Sequence, residues 1–147
     1  MKVKKLIATV MAVATMASVA TVNAGAYNLQ VMCTKKTNGM NHKFSYEWAE
    51  KWSVKSSATS GTIGVIKYGY DTDWTNEDYT ETWSQVFYHD AITYNSRYRY
   101  ETAWKGLGYK ASAWIKNGGA TDPRYYLNLQ NVGLAIYRSK ITLANYY

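Results

Sequence analysis

Between Phe44 and Val54 the chain alternates. Phe44, Tyr46, Trp48, Trp52 and Val54 share one parity, Ser45, Glu47, Ala49, Lys51 and Ser53 the other, and Glu50 alone interrupts the apolar set. Period two is the mark of a strand with one buried face. A helix would place Trp48 beside Trp52 and Glu47 beside Lys51, but period two accounts for more positions. Strands are also expected over 63–70, with Ile63 and Val65 on one face and Ile66, Tyr68 and Tyr70 on the other, and over 79–88 with Tyr79, Trp83 and Phe87 in one register, and the alternation returns over 91–101. In that last stretch Ile92, Tyr94, Tyr98 and Tyr100 oppose Thr93, Asn95, Arg97, Arg99 and Glu101. Further strands are expected over 27–34, 110–116, 124–130 and 132–143. The last carries a bulge near Ser139, where apolar parity switches between Ile136 and Ile141.

Turn signals separate these runs. They are Asn38-Gly39, the Ser/Thr-rich 56–62, the polar 71–78, a corner at His89-Asp90, a Gly-punctuated connection over 102–108, and Asn117-Gly118-Gly119 ahead of Asp122-Pro123. No stretch sustains a 3.6 period with caps at both ends. About eight strands at roughly 10–15-residue spacing predict an all-β fold, an antiparallel β-sandwich or barrel.

This domain is expected to follow a leader. Met1 to Lys5 is lysine-rich, Leu6 to Val22 is uncharged, and Val22-Asn23-Ala24 has small residues where a signal peptidase reads. Residues 1–24 therefore read as a cleaved signal helix, 25–147 as one domain, and the protein as secreted. The domain is long enough to bury a core without staples. It has only one cysteine, Cys33, so it forms no internal disulfide. Cys33 reads as a small buried hydrophobe, with an intermolecular bridge as the alternative. All 15 Tyr, 6 Trp and 2 Phe lie in the domain, a content that suits strands and wet interfaces and opposes disorder.

Charge is distributed in blocks. The net +7 falls to +4 once Lys2, Lys4 and Lys5 leave with the leader. Residues 68–90 hold six of the ten carboxylates and no Lys or Arg, between two basic flanks. Asp71, Asp73, Asn76 and Asp78 present oxygens at the spacing a hard cation such as calcium accepts, without the glycine and distal glutamate of an EF-hand. The plain alternative is a solvated loop whose Asp and Asn cap turn amides, or one that faces the basic flanks within the fold or across a self-interface. After it, Arg97 and Arg99 read as a cationic strip backed by Tyr98 and Tyr100, suited to an anionic surface or a polysaccharide, or as a charged edge strand. Trp74, Trp104 and Trp114 are candidates for stacking on sugar rings.

Nothing in the pattern marks catalysis. There is no nucleophile elbow around a serine, the two histidines and one cysteine lack zinc-ligand spacing, and Glu47, Glu50, Glu81 and Glu101 could in principle pair as a glycosidase's acid and base, at separations that sequence does not give. A hydrolase acting on the envelope is the minor reading, and an enzyme is not expected. Nucleic acid is an unsuitable partner for an exported chain.

The leader, the Tyr/Trp/Asn/Ser-rich domain, and the segment Tyr68-Gly-Tyr-Asp71, Trp74, Asn76-Glu-Asp-Tyr79 and His89-x-Ala91 resemble small secreted bacteriocin-like β proteins of Gram-positive bacteria, such as the lactococcin-972-like group. That resemblance implies a cationic antimicrobial or toxin-like protein that binds a target cell envelope, with peripheral membrane contact. The reading from another class is a secreted carbohydrate- or surface-binding module, calcium-stabilised if the acidic loop holds the ion.

Overall fold

Two antiparallel sheets pack face to face. The computed structural model describes residues 27–34, 47–73 and 75–146. The expected leader and the Asn38-Gly39 turn lie outside the described residues, as does Trp74. Among the described residues the strands are β1 (Tyr27–Cys33), β2 (Trp48–Ser56), β3 (Thr62–Asp71), β4 (Glu77–Trp83), β5 (Tyr88–Tyr94), β6 (Arg99–Glu101), β7 (Ala111–Lys116), β8 (Arg124–Val132) and β9 (Ile141–Asn145), with one helix, α1 (Leu134–Arg138). One sheet has the order β1-β8-β5-β6 and the other β7-β4-β3-β2-β9. The fold is therefore an all-β sandwich, not a closed barrel.

The parity read from 44–54 holds over Trp48–Val54; Phe44, Ser45 and Tyr46 lie outside the described residues. Trp48 and Val54 are buried, and Glu50 does lie on their face of β2. It is accommodated there by neighbours: Tyr68 donates its hydroxyl to Glu50 Oε2 at 2.6 Å, and Trp52 Nε1 donates to Tyr68 Oη at 3.2 Å. In the centre Tyr68 stacks on Tyr125 of the opposite sheet at 4.8 Å, and Trp48 meets both rings edge-on at 6.1 Å. Val31, Ile63, Ile66, Leu127, Leu129 and Ile136 fill the space around them. Buried aromatics of this kind carry most of a core's apolar area and add about 0.5–1.5 kcal/mol per ring pair.

The β4/β5/β7 side is built differently. Its interior is Ala91, Ala111 and Ala113 with Thr80, Thr82 and Thr93, all fully buried. The small side chains let the sheets approach, and Cα atoms of β5 come within 8 Å of those of β4 and β7. The threonine hydroxyls bond directly to main chain of the facing sheet. Thr82 donates to the Asp90 carbonyl at 2.9 Å, Thr80 lies 3.0 Å from the Ile92 carbonyl, and Thr93 lies 2.7 Å from the Ala113 carbonyl. One half of the sandwich is thus joined by apolar packing, the other by hydrogen bonds.

Four sequence expectations change. The run 79–88 is not one strand. Ser84 Oγ accepts from the Val86 and Phe87 amides and donates to the Ile63 carbonyl, a local turn that sends Phe87 into the core and starts β5. His89-Asp90 is therefore no corner but lies within β5, with both residues fully buried. The run 91–101 is a hairpin, because Asn95 Oδ1 accepts from the Arg97 and Tyr98 amides and reverses the chain there. The run 132–143 is not a strand either. Gly133 precedes α1, whose Ile136 enters the core and whose Tyr137 stacks on Tyr27 at 4.7 Å, and the helix ends at Ser139. The switch of parity marked that helix, not a bulge.

Candidate functional site

The outer face of the five-stranded sheet carries the richest chemistry. Strand pairing builds it in rows: Trp114, Tyr79, Gly69 and Ala49; then Ser112, Glu81, Lys67 and Lys51; then Trp83, Val65 and Ser53. Tyr79 stacks on Trp114 at 4.3 Å and 13° between planes. Gly69 makes room for this. A Cβ there would run into the Trp48 carbonyl and lie 3.0 Å from the Tyr79 hydroxyl. An aromatic ring beside a strand glycine covers the backbone that the glycine leaves bare. Burial pushes the Tyr79 hydroxyl up to about 12, helped by Glu81, Asp71 and Glu47.

The next row is ionic. Lys110 Nζ donates to Glu81 Oε1 at 2.8 Å, and Lys67 Nζ lies 3.9 Å from Glu81 Oε2 and 5.4 Å from the Tyr79 ring. One carboxylate faces two ammonium groups, which leaves this row positive. Lys51 Nζ sits 3.8 Å from the Tyr146 ring centroid and 5.2 Å from that of Trp83. Such contacts are worth about 0.5–2 kcal/mol. Tyr146 is held there by its amide, which donates to the Lys51 carbonyl at 3.2 Å. Beside this pair opens a cleft of about 370 Å³ lined by Lys51, Thr62, Gly64, Val65, Trp83, Ser84, Gln85 and Tyr146. Flat rings, ammonium groups and neutral hydroxyl and amide groups together can hold a polar ligand with apolar faces.

The residues singled out from sequence fall in several places. Trp114 is on this face and exposed. Trp104 is exposed on the connection over 102–110, together with Leu107 and Tyr109. The cationic strip does not form as read. Arg97 lies in the β5–β6 turn and donates to the Gly118 carbonyl, whereas Arg99 lies in β6 and pairs with Glu101 at 2.9 Å. Tyr98 and Tyr100 are exposed, the first in the turn and the second on β6.

The four acidic-loop residues are not gathered in one place. Asp71 and Asp73 lie with Glu47, one oxygen of each within 4.8 Å of the others. The Asn76 carbonyl instead accepts from the Asn117 amide at 2.8 Å. Asp78 points into the fold and is fully buried; Asn95 and Asn117 each donate to its Oδ2 at 3.0 Å. Burial raises its carboxyl pKa against the opposing effect of those two amides and Tyr125. Asp90 is buried too. Asn128 donates to its Oδ1 at 2.7 Å, Oδ2 has no hydrogen-bond partner among the described residues, and burial pushes the carboxyl up to about 6.

Lys51, Lys67, Trp83 and Tyr146 were not singled out from sequence. The alternation of Tyr79, Glu81 and Trp83 put those three on one face, but only strand pairing shows that Lys51 and Tyr146 join them. The fold and this face define the class: a β-sandwich with an aromatic, cationic outer sheet. No family model, no curated protein and no solved structure matches the chain.

Proposed function

We propose that this is a secreted, non-catalytic binding protein that holds an anionic glycan of the cell envelope on the outer face of its five-stranded sheet. The observation that carries this reading is Lys51 between Trp83 and Tyr146 at the mouth of the cleft, in line with the Tyr79–Trp114 stack. The exposed rings of Trp114 and Tyr146, with half-buried Trp83, suit the C–H faces of sugars. The ammonium groups supply attraction to an acidic polymer, and Gln85 and Thr62 supply neutral hydrogen bonds. Retention of the protein on purified cell walls tests it. Trp83→Ala and Lys51→Met should each lower retention roughly tenfold while the fold persists. Unchanged retention in both variants would sink the reading.

The bacteriocin-like reading has its own observation. Trp104, Leu107 and Tyr109 are exposed on one connection with Lys105 and Lys110 beside them, a composition that suits contact with an anionic membrane surface. Spotting the protein on lawns of related bacteria tests killing. No clearing across a broad panel removes the antimicrobial role and leaves wall binding to be judged separately. Calcium stabilisation would rest on Glu47, Asp71 and Asp73, and a Tm unchanged between calcium and chelator would dispose of it.

A further inference from the structure

The four-stranded sheet also has an outer face, and a second pocket lies on it. Ile92 and Tyr126, paired across β5 and β8, form its floor. Tyr94 pairs with Arg99 of β6 on one side and Arg124 of β8 on the other. The two arginines therefore flank one tyrosine, about 10 Å apart at their Cα atoms. Both line the same space, which measures about 180 Å³ and is closed on its far rim by Gln30. The rim is fixed: Gln30 Nε2 donates to Asn128 Oδ1 at 2.8 Å. Arg124 lies over the Tyr94 ring, 5.7 Å from its centroid. Arg99 uses one fork on Glu101, an exposed pairing of little net worth.

We propose that this pocket binds a phosphate or phosphodiester group between Arg99 and Arg124. A carboxylate is satisfied by one guanidinium fork. Two forks reaching in from either side of Tyr94 suit an anion whose oxygens point in several directions. The apolar floor and the tyrosines accept whatever carries the phosphate. The pocket lies on the sheet opposite the Lys51–Trp83 cleft, so it stands or falls independently of glycan binding there.

The test is titration of the isotope-labelled protein with inorganic phosphate at constant ionic strength, followed by amide resonances. Saturable shifts are expected at Ile92, Tyr94, Arg99 and Arg124. Arg99→Gln and Arg124→Gln should each weaken binding roughly tenfold, while Arg97→Gln, which removes an equal charge from the neighbouring turn, should leave it within about twofold. Unchanged spectra elsewhere show that each variant is folded. Poly(glycerol phosphate) and phosphatidylglycerol vesicles, added as competitors in separate arms, tell a wall polymer from a lipid headgroup. Competition by neither limits the source to small soluble phosphates. Shifts that do not saturate by about 50 mM, or equal weakening by all three substitutions, would overturn the proposal.

Discussion

Asn117 donates its side-chain amide to the buried Asp78 carboxylate at 3.0 Å. Asn95 donates to the same oxygen, so one carboxylate ties the β5–β6 turn to the β7–β8 turn. Removing it takes an acceptor from both buried amides, of which Asn95 keeps the Lys116 carbonyl at 3.1 Å. Asp78→Ala should lower stability by about 2–4 kcal/mol, read from the denaturant midpoint. Asp71→Asn together with Asp73→Asn, at exposed or half-buried positions, should stay within about 0.5 kcal/mol. Equal effects from the two variants would contradict the structural role of Asp78.

Asp90 predicts an unusual pH dependence. Its folded carboxyl is raised from 3.8 to about 6, chiefly by burial. The native state therefore holds the proton more tightly than the unfolded chain. The stabilisation is complete below pH 3.8 and is lost as pH rises through about 6. The ceiling is about 3 kcal/mol, at about 1.4 kcal/mol per pH unit. His89 acts oppositely, because burial lowers its pKa and its contribution is lost as pH falls below 6.5. The difference between the parent and Asp90→Asn isolates the Asp90 contribution. Unfolding curves from pH 4 to 7.5 should show that difference shrinking in the parent's disfavour as pH rises, and a flat difference would refute it.

Gly69 should tolerate no side chain. Besides the Trp48 carbonyl and the Tyr79 hydroxyl, an added Cβ would stand 3.0 Å from the Ala49 Cα. Gly69→Ala should destabilise by about 2–3 kcal/mol and disturb the Tyr79–Trp114 stack, visible in near-UV circular dichroism. A variant as stable as the parent would show that β2 and β3 are farther apart than described.

Cys33 should be inert in the folded protein. It is buried, and burial with Glu50 nearby pushes its thiol up to about 12. A thiol reagent at pH 8 should label it only as fast as the protein unfolds. Labelling at the rate of a free thiol, or a reducible dimer, would restore the intermolecular bridge as an explanation for this residue.

The strands were readable where a local pattern decides them. Period two over 44–54 located β2 and even the face of Glu50, because parity along one strand is a property of that strand. What could not be read were decisions taken by single side chains or by distant pairings. Ser84 and Asn95 each turn the chain through bonds to nearby amides, and a polar residue inside an alternating run looks like any other. Asp78 and Asp90 looked like surface carboxylates because their asparagine partners lie 17 to 39 residues away. Trp114 was a candidate from sequence, whereas Lys51, Trp83 and Tyr146 meet only through the register of β2 with β3 and β9.

That pairing of distant segments has a kinetic meaning. β1 is completed by β8, with Cys33 opposite Tyr125, and β2 by β9, with Ser56 opposite Ile141. Neither sheet closes until the last third of the chain is available. Before that, a growing chain can form only local pairings, the β2–β3–β4 meander and the β5–β6 hairpin, with their inner faces uncovered. High contact order of this kind slows folding. The chain therefore commits to its final form only when its last strands are available to pair with its first.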